Sequence, residues 1–150
     1  MELKGLLTSD QIIYGLRGHT RNEIINELLK ALAKCGKVND RQLALKNVLE
    51  REDLLSTGME KGLAIPHAKT DAVDGLVVAF GLHKQGVDFN SLDGQAAHFI
   101  FLVLSPHDTS GPHIKALAQI SRKLKTEQVR DLLKKADSTE DIEKIFNITD

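Results

Sequence analysis

Six histidines stand among the 150 residues, and imidazole is the side chain best matched to taking up or releasing a proton or an electrophile near neutral pH. Two of the six have neighbours that single them out. His67 follows Ile65-Pro66; proline fixes its own φ and biases the preceding residue towards an extended shape, so a buried run ends there and the next side chain is aimed in a defined direction. Strand ends in the sheets of α/β proteins are where ligand sites collect. Gly58 and Gly62 permit close approach by another backbone. His113 falls in the first turn of a helix if Ser110 caps it, where free N–H groups and the positive end of the helix dipole favour phosphate and disfavour imidazolium. A ring kept neutral near pH 7, against an ordinary pKa of about 6.5, is a nucleophile or a hydrogen-bond partner rather than a cation. Arg51 brings the complementary group, a planar cation able to grip two phosphate oxygens.

Each of the three also has a plainer reading. His67 fits a partly exposed loop histidine, His113 a surface residue, and Arg51 a solvated charge cluster with Glu52 and Asp53. His19, His83 and His98 read as surface or capping residues, and Glu60 and Lys61 as loop charges. Motifs for other chemistries are missing. There is no Gly-rich phosphate loop ending in Lys-Ser/Thr, no dinucleotide fingerprint, no paired cysteines, no helical His-Glu-x-x-His and no Gly-x-Ser-x-Gly elbow. A histidine pair without a nucleotide site points to phosphate that arrives on another protein.

The elements that must hold these residues are legible in the spacing of apolar positions. Thr20 and Glu23 have capping-box spacing before a stripe of Ile24, Ile25, Leu28, Leu29 and Leu32, within a segment from Leu16 to Asn39 that Gly36 stops. A second helix is predicted after Asp40, burying Leu43, Leu45, Val48 and Leu49 and ending near Arg51-Glu52. The period then changes. Leu63-Ala64-Ile65 is a short apolar run, and Leu76 to Leu82 and Phe99 to Leu104 are β-rich and nearly continuous, the pattern of strands buried on both faces. Asp93-Gly94 marks a turn between the last two, and Ile12 to Leu16 an additional strand. Three helices follow, starting at Ser110 (with Ile114, Leu117, Ala118, Ser121 and Leu124 on one face), at Thr126 and at Ser138. The sum is one α/β domain over 1–150 with helices packed on a central sheet.

Totals bound the function. Twenty Lys+Arg against 21 Asp+Glu leave a formal charge of −1, which gives no global case for nucleic acid or an anionic membrane. A lone cysteine, Cys35, has no internal disulfide partner and suits a reducing compartment. The longest apolar runs are too short to cross a bilayer, and the opening residues 1–4 lead into polar sequence without the apolar core of a signal peptide. A cytoplasmic protein is expected.

The run Arg51-Glu52-Asp53-Leu54-Leu55-Ser56-Thr57-Gly58-Met59-Glu60-Lys61-Gly62-Leu63-Ala64-Ile65-Pro66-His67 resembles the active-site signature of the fructose/mannitol-type (and nitrogen-regulatory) EIIA domain of the bacterial phosphoenolpyruvate-dependent phosphotransferase system. Gly86-Val87-Asp88-Phe89, Leu92-Asp93-Gly94 and His113-Ile114-Lys115-Ala116-Leu117-Ala118 continue the likeness in order along nearly the whole chain. The resemblance implies a single mixed parallel/antiparallel sheet of about five strands flanked by helices on both sides. It implies that a phosphoryl group passes from the phosphocarrier HPr onto His67, with His113 as the second active-site histidine and Arg51 near the phosphohistidine. The acceptor would be a cysteine of an EIIB domain, and no metal or cofactor is called for. An apolar docking face is expected from Met59, Leu63 and Ile65. Three departures stand out: Ala68 where glycine is frequent, Glu60-Lys61 in place of Gly-Asn, and Pro112 directly before His113. A regulatory nitrogen-type protein is the alternative within the family, with a slight preference for sugar transport from Val87-Asp88-Phe89 and Leu92-Asp93-Gly94. Outside the sugar and nitrogen readings stand a zinc hydrolase built on His67, His107, Asp108 and His113, and a binding module that no longer takes phosphate.

Overall fold

Two long apolar segments make the centre of the computed structural model, which describes residues 5–148; residues 1–4, read above for a signal peptide, lie outside it. Strand β4 (Val77–Val87) runs antiparallel to β5 (Ala97–Ser105), with Val77 opposite Leu104, Phe80 opposite Phe101 and Leu82 opposite Phe99. Strand β1 (Ile12–Ile13) adds to β4 in parallel, placing Ile12 beside Phe80. On the other side, β5 carries two short parallel partners in succession, β2 (Leu63–Ala64) and β3 (His67–Lys69). The result is a mixed five-stranded sheet in the order β1-β4-β5-β2, with β3 also on β5.

Because side chains alternate along a strand, β5 feeds two cores. Ile100, Leu102 and Leu104 point to one face, where helices α1 (Arg21–Lys34) and α2 (Arg41–Leu54) cover them with Ile24, Ile25, Leu28, Leu29, Leu32, Ala44 and Val48. Phe99, Phe101 and Val103 point to the other, under α3 (Ser110–Lys125), α4 (Glu127–Lys135) and α5 (Thr139–Ile148). On that second face Phe80, Phe101 and Phe146 form a three-ring cluster, with centroids 4.6, 5.1 and 5.5 Å apart. Such edge-on and tilted geometry adds about 0.5–1.5 kcal/mol per pair beyond area burial.

Local sequence explains the helix ends. Thr20 and Glu23 form the reciprocal capping box that their spacing indicates. At the other end of α1, Lys37 N–H bonds to Leu32 O at 2.9 Å and Gly36 N–H to Ala33 O at 3.1 Å. These are the paired closing bonds of a helix that ends on a left-handed residue, and Gly36 takes that conformation with φ 75°. Asp40 caps α2 by accepting from Leu43 N–H at 3.1 Å.

Several expectations need correction. α2 continues to Leu54, and its fully buried residues are Ala44, Val48 and Glu52, with Leu43, Leu45 and Leu49 half-buried. Strand β2 ends before Pro66, as its sequence indicates, but a new strand follows at once. Pairing with β5 resumes at His67, and Pro66, which has no N–H to give, offers its carbonyl to Val103 N–H at 3.0 Å. In α3 the buried side is His113, Ala116, Ile120 and Leu124, while Ile114 is 63% exposed. A histidine does not count as apolar in a periodicity reading, so the stripe shifts by one residue. His83 sits inside β4, buried, not at a strand end. Among the described residues, no helix is long and apolar enough to cross a membrane.

Candidate active site

The break between β2 and β3 creates the first feature of the site. Ile65-Pro66 steps out of the ladder, so the Ile65 carbonyl is free of sheet pairing and accepts from His67 Nδ1 at 2.6 Å. A carbonyl only accepts; the proton is therefore on Nδ1, and Nε2 holds the free electron pair. The His67 ring is half-buried, and burial pulls its pKa below 6.5, helped by the positive charge of Arg51. The Ile65 carbonyl and the Glu52 carboxylate act the other way. The ring is neutral at pH 7 with its nucleophilic nitrogen defined.

His113 stands beside it, ring centroids 5.5 Å apart and planes at 65°. It is only 6% exposed, because the N-terminal part of α3 lies against the C-terminal end of β5. Its Nδ1 is 2.5 Å from the hydroxyl of Ser105, the last residue of β5 and wholly buried. Burial, and then the charges of His67 and Lys69, push its pKa down to about 4. The expected neutrality is present, with burial as its first cause. Ser110 is the first helical residue and Thr109 the cap; the Ser110 hydroxyl accepts from Lys69 Nζ at 2.6 Å.

Arg51 lies in the last turn of α2 and reaches past the helix end to donate from Nη1 to the Leu55 carbonyl at 2.9 Å. With His67 it lines a cleft of about 320 Å³ whose remaining wall includes Leu55, Met59, Ile65, Leu92 and Leu117. All three expected residues thus occupy one region, with Arg51 and His67 in one cleft and His113 against His67.

Sequence reasoning missed what supports them. Glu52, next to Arg51, has its carboxylate buried; it accepts from the Thr57 hydroxyl and from Thr57 N–H at 3.3 Å, and lies 3.9 Å from Arg21 Nη1. The Thr57 carbonyl in turn accepts from Ile65 N–H at 3.1 Å. Glu52 thus holds Thr57, Thr57 holds Ile65, and Ile65 holds the His67 ring, each by its own hydrogen bond. Gly58 closes the same loop, since an added Cβ would stand 2.5 Å from the Phe89 carbonyl oxygen. No pattern in the sequence marks a buried carboxylate, whose partners lie in other elements.

The three departures are accommodated. Ala68 is buried in β3 opposite Leu104, on strand backbone without the positive φ that would call for glycine. Lys61 adopts a left-handed φ of 61°, and its N–H is held by Asp93 Oδ2 at 2.9 Å. Pro112 lies in the first turn of α3, where its missing N–H costs nothing. Leu63 and Ile65, expected to offer a docking face, are only 5% and 3% exposed, and the exposed large apolar residues include Leu54, Leu55, Leu92 and Ile114, at 84, 68, 78 and 63%. The zinc set does not converge. His107 is near Asp71 at 3.7 Å, and among the described residues no group of three or more His, Cys, Asp or Glu side chains is placed to hold a metal.

Comparison with known proteins gives this geometry its family. The chain is 40% identical over 147 residues to the fructose-specific EIIABC component of Bacillus subtilis, covering 98% of this chain and 23% of that protein. It thus spans about a quarter of that relative's length. It is 38% identical to the fructose-specific EIIA component of Haloferax volcanii, covering 85% of this chain and 82% of that one. To a nitrogen regulatory protein of Bradyrhizobium diazoefficiens it is 30% identical, covering 99% and 94%. The fold matches the nitrogen regulatory protein IIA-Ntr of Neisseria meningitidis with a TM-score of 0.83 at 24% identity, covering 96% and 98% of the two chains. It also matches the mannitol enzyme IIA of Escherichia coli, solved in complex with phosphorylated enzyme IIB, with a TM-score of 0.81 at 22% identity over 94% and 96%. The family model for the phosphoenolpyruvate-dependent sugar phosphotransferase system, EIIA 2, matches residues 5–148, and the chain belongs to that family.

Proposed function

We propose that this chain, acting as a single cytoplasmic EIIA-type domain over 1–150, is the phosphocarrier that accepts a phosphoryl group from HPr on His67 and passes it to a cysteine of an EIIB domain during sugar uptake. One observation carries the reading: a neutral imidazole whose Nδ1 proton is held by the Ile65 carbonyl presents a free electron pair at Nε2 beside a second neutral imidazole. The similarity to fructose-specific components supports the choice of system.

The steps are those of a phosphoryl exchange between imidazoles. The Nε2 electron pair of His67 forms the new N–P bond as the bond from phosphorus to the donor's histidine breaks, and that pair leaves with the donor ring. Positive charge grows on the His67 ring, and the Ile65 carbonyl dipole at Nδ1 stabilises it. Arg51 offsets the charge of the phosphoryl oxygens, and His113, kept neutral, donates a hydrogen bond to them. Apolar walls from Met59, Ile65 and Leu117 give the cleft a surface that an apolar partner face can cover, limiting hydrolysis of the product while the two are docked. Passage onward reverses the exchange, with a thiolate as the attacking group.

The nitrogen-type reading has its own support, since the similarity to a nitrogen regulatory protein extends over 94% of that protein. In that role the same phosphorylated histidine would alter which proteins bind the face around Leu54, Leu55 and Leu92. The deciding experiment is intact-protein mass after incubation with phosphoenolpyruvate, enzyme I and HPr, beside His67→Ala. One acid-labile phosphate on the wild type and none on the variant is the expected result. A folded wild type that takes no phosphate from several donors refutes the carrier role, and onward transfer to an EIIB domain separates transport from regulation.

A further inference from the structure

Ser105 ends β5 with its side chain fully enclosed, and its hydroxyl oxygen lies 2.5 Å from His113 Nδ1. Either group could donate in that bond, yet the two arrangements are not equivalent. If His113 gave its Nδ1 proton to Ser105, the serine O–H would need a separate acceptor, and the hydrogen bonds of this hydroxyl among the described residues go to His113. A buried hydroxyl proton with no acceptor carries a desolvation penalty. The arrangement that satisfies both groups has the serine O–H donating to Nδ1, which puts the ring proton on Nε2.

We propose that Ser105 is a positioning residue that sets the tautomer of His113, so that its Nε2–H, a donor, is what the second histidine presents to a phosphoryl group on His67. The assignment rests on His67 as the phosphorylated residue. Phosphoryl oxygens only accept, so the Nδ1–H tautomer would turn an electron pair towards negative oxygen, and an imidazole that can choose either form supplies the donor only part of the time. The two histidines are held in complementary states by different means. A backbone carbonyl at Nδ1 leaves His67 with a free pair at Nε2; a hydroxyl at Nδ1 leaves His113 with a proton there. Beside them Lys69 reaches to Ser110 at 2.6 Å, which keeps the strand end and the helix start in register.

The test uses histidine ring ¹⁵N NMR on the whole chain near pH 7, with Ser105→Ala as the perturbation. In the wild type, His113 Nδ1 is expected to resonate as an unprotonated, hydrogen-bonded nitrogen and Nε2 as a protonated one. In Ser105→Ala, the Nδ1 signal moves to the position of an unprotonated nitrogen without a donor, and phosphoryl acceptance from phosphorylated HPr slows about tenfold, the scale of one hydrogen bond to a charged group. A proton found on Nδ1 in the wild type overturns the proposal, as does a folded Ser105→Ala that accepts phosphate at the wild-type rate. The wild-type spectrum decides the tautomer even if the variant does not fold. Should the wild type take no phosphate at all, the carrier role fails while the spectrum still reports on Ser105.

Discussion

Acidification should weaken this protein through His113 in a way that a single substitution can isolate. The folded ring has a pKa of about 4, against about 6.5 in an unfolded chain. Between those values the unfolded state holds a proton that the folded state refuses, so the unfolded state binds more protons and stability falls as pH falls. The contribution is complete above about pH 6.5 and gone below about pH 4. The full gap corresponds to at most about 3 kcal/mol, and because the ring sits beside a cleft open to solvent, about 1–2 kcal/mol is the expected size. Carboxylates titrate in the same range, so the comparison must be differential. His113→Asn removes the titrating group and keeps, in Oδ1, an acceptor for the Ser105 hydroxyl. Urea unfolding of both proteins from pH 7 to pH 4 should show the wild type losing about 1–2 kcal/mol more than the variant, with equal slopes in denaturant. His67 is shifted in the same direction but is present in both. Curves that stay parallel to within about 0.3 kcal/mol across that range would refute the placing of a neutral, buried imidazole at 113.

Glu52→Gln should lower stability by about 2 kcal/mol, because an amide must now face the Thr57 donors and loses Arg21; calorimetry should show a Tm fall of about 4–8 °C. Replacing Leu55 and Leu92 together by Glu should leave Tm within about 2 °C, since both are exposed, yet slow phosphoryl exchange with partner proteins about tenfold by making their docking face polar and negative. The rate of phosphoryl acceptance by the wild type should hold from pH 8 towards neutrality and reach its half-point only below pH 6.5, because burial lowers the pKa of the His67 ring. A midpoint at or above 6.5 in stopped-flow transfer, with donor titration subtracted, would contradict the burial of His67.

Much of the frame was legible from residue spacing. Thr20 with Glu23, Asp40, and the two apolar runs around Phe80 and Phe101 state their roles locally, because caps and continuous apolar strands depend on near neighbours. The site residues His67, His113 and Arg51 could be listed as candidates, and the family motif ranked them; their spatial grouping required the fold. What could not be read depends on contacts that loops and turns create only once the chain has folded. Glu52 looks like any helix carboxylate until Thr57 and Arg21 close around it, and Ser105 looks like a strand terminus until α3 brings His113 onto it. The apolar spacing of α3 points one residue away from its true buried side, for the related reason that a histidine occupies a core position. Pro66 reads as a stop, and β2 does end before it; the restart of pairing with β5 at His67 is what the sequence does not show.

That stepped edge has a consequence for how other proteins can meet this one. An uninterrupted edge strand is a row of free N–H and C=O groups on which a foreign strand can extend the sheet. Here β2 and β3 offer two and three residues, split by Pro66. The outer side of β2 is already occupied, with Met59 N–H on Leu63 O at 2.8 Å and Ile65 N–H on Thr57 O at 3.1 Å. The opposite edge, β1, is two residues long. Recognition by strand addition, which reads backbone and tolerates many sequences, finds little unbroken edge in β1, β2 or β3. A partner meeting these edges has to read side chains, and the same interruption that frees a carbonyl for His67 shortens the backbone edge that a second copy could extend.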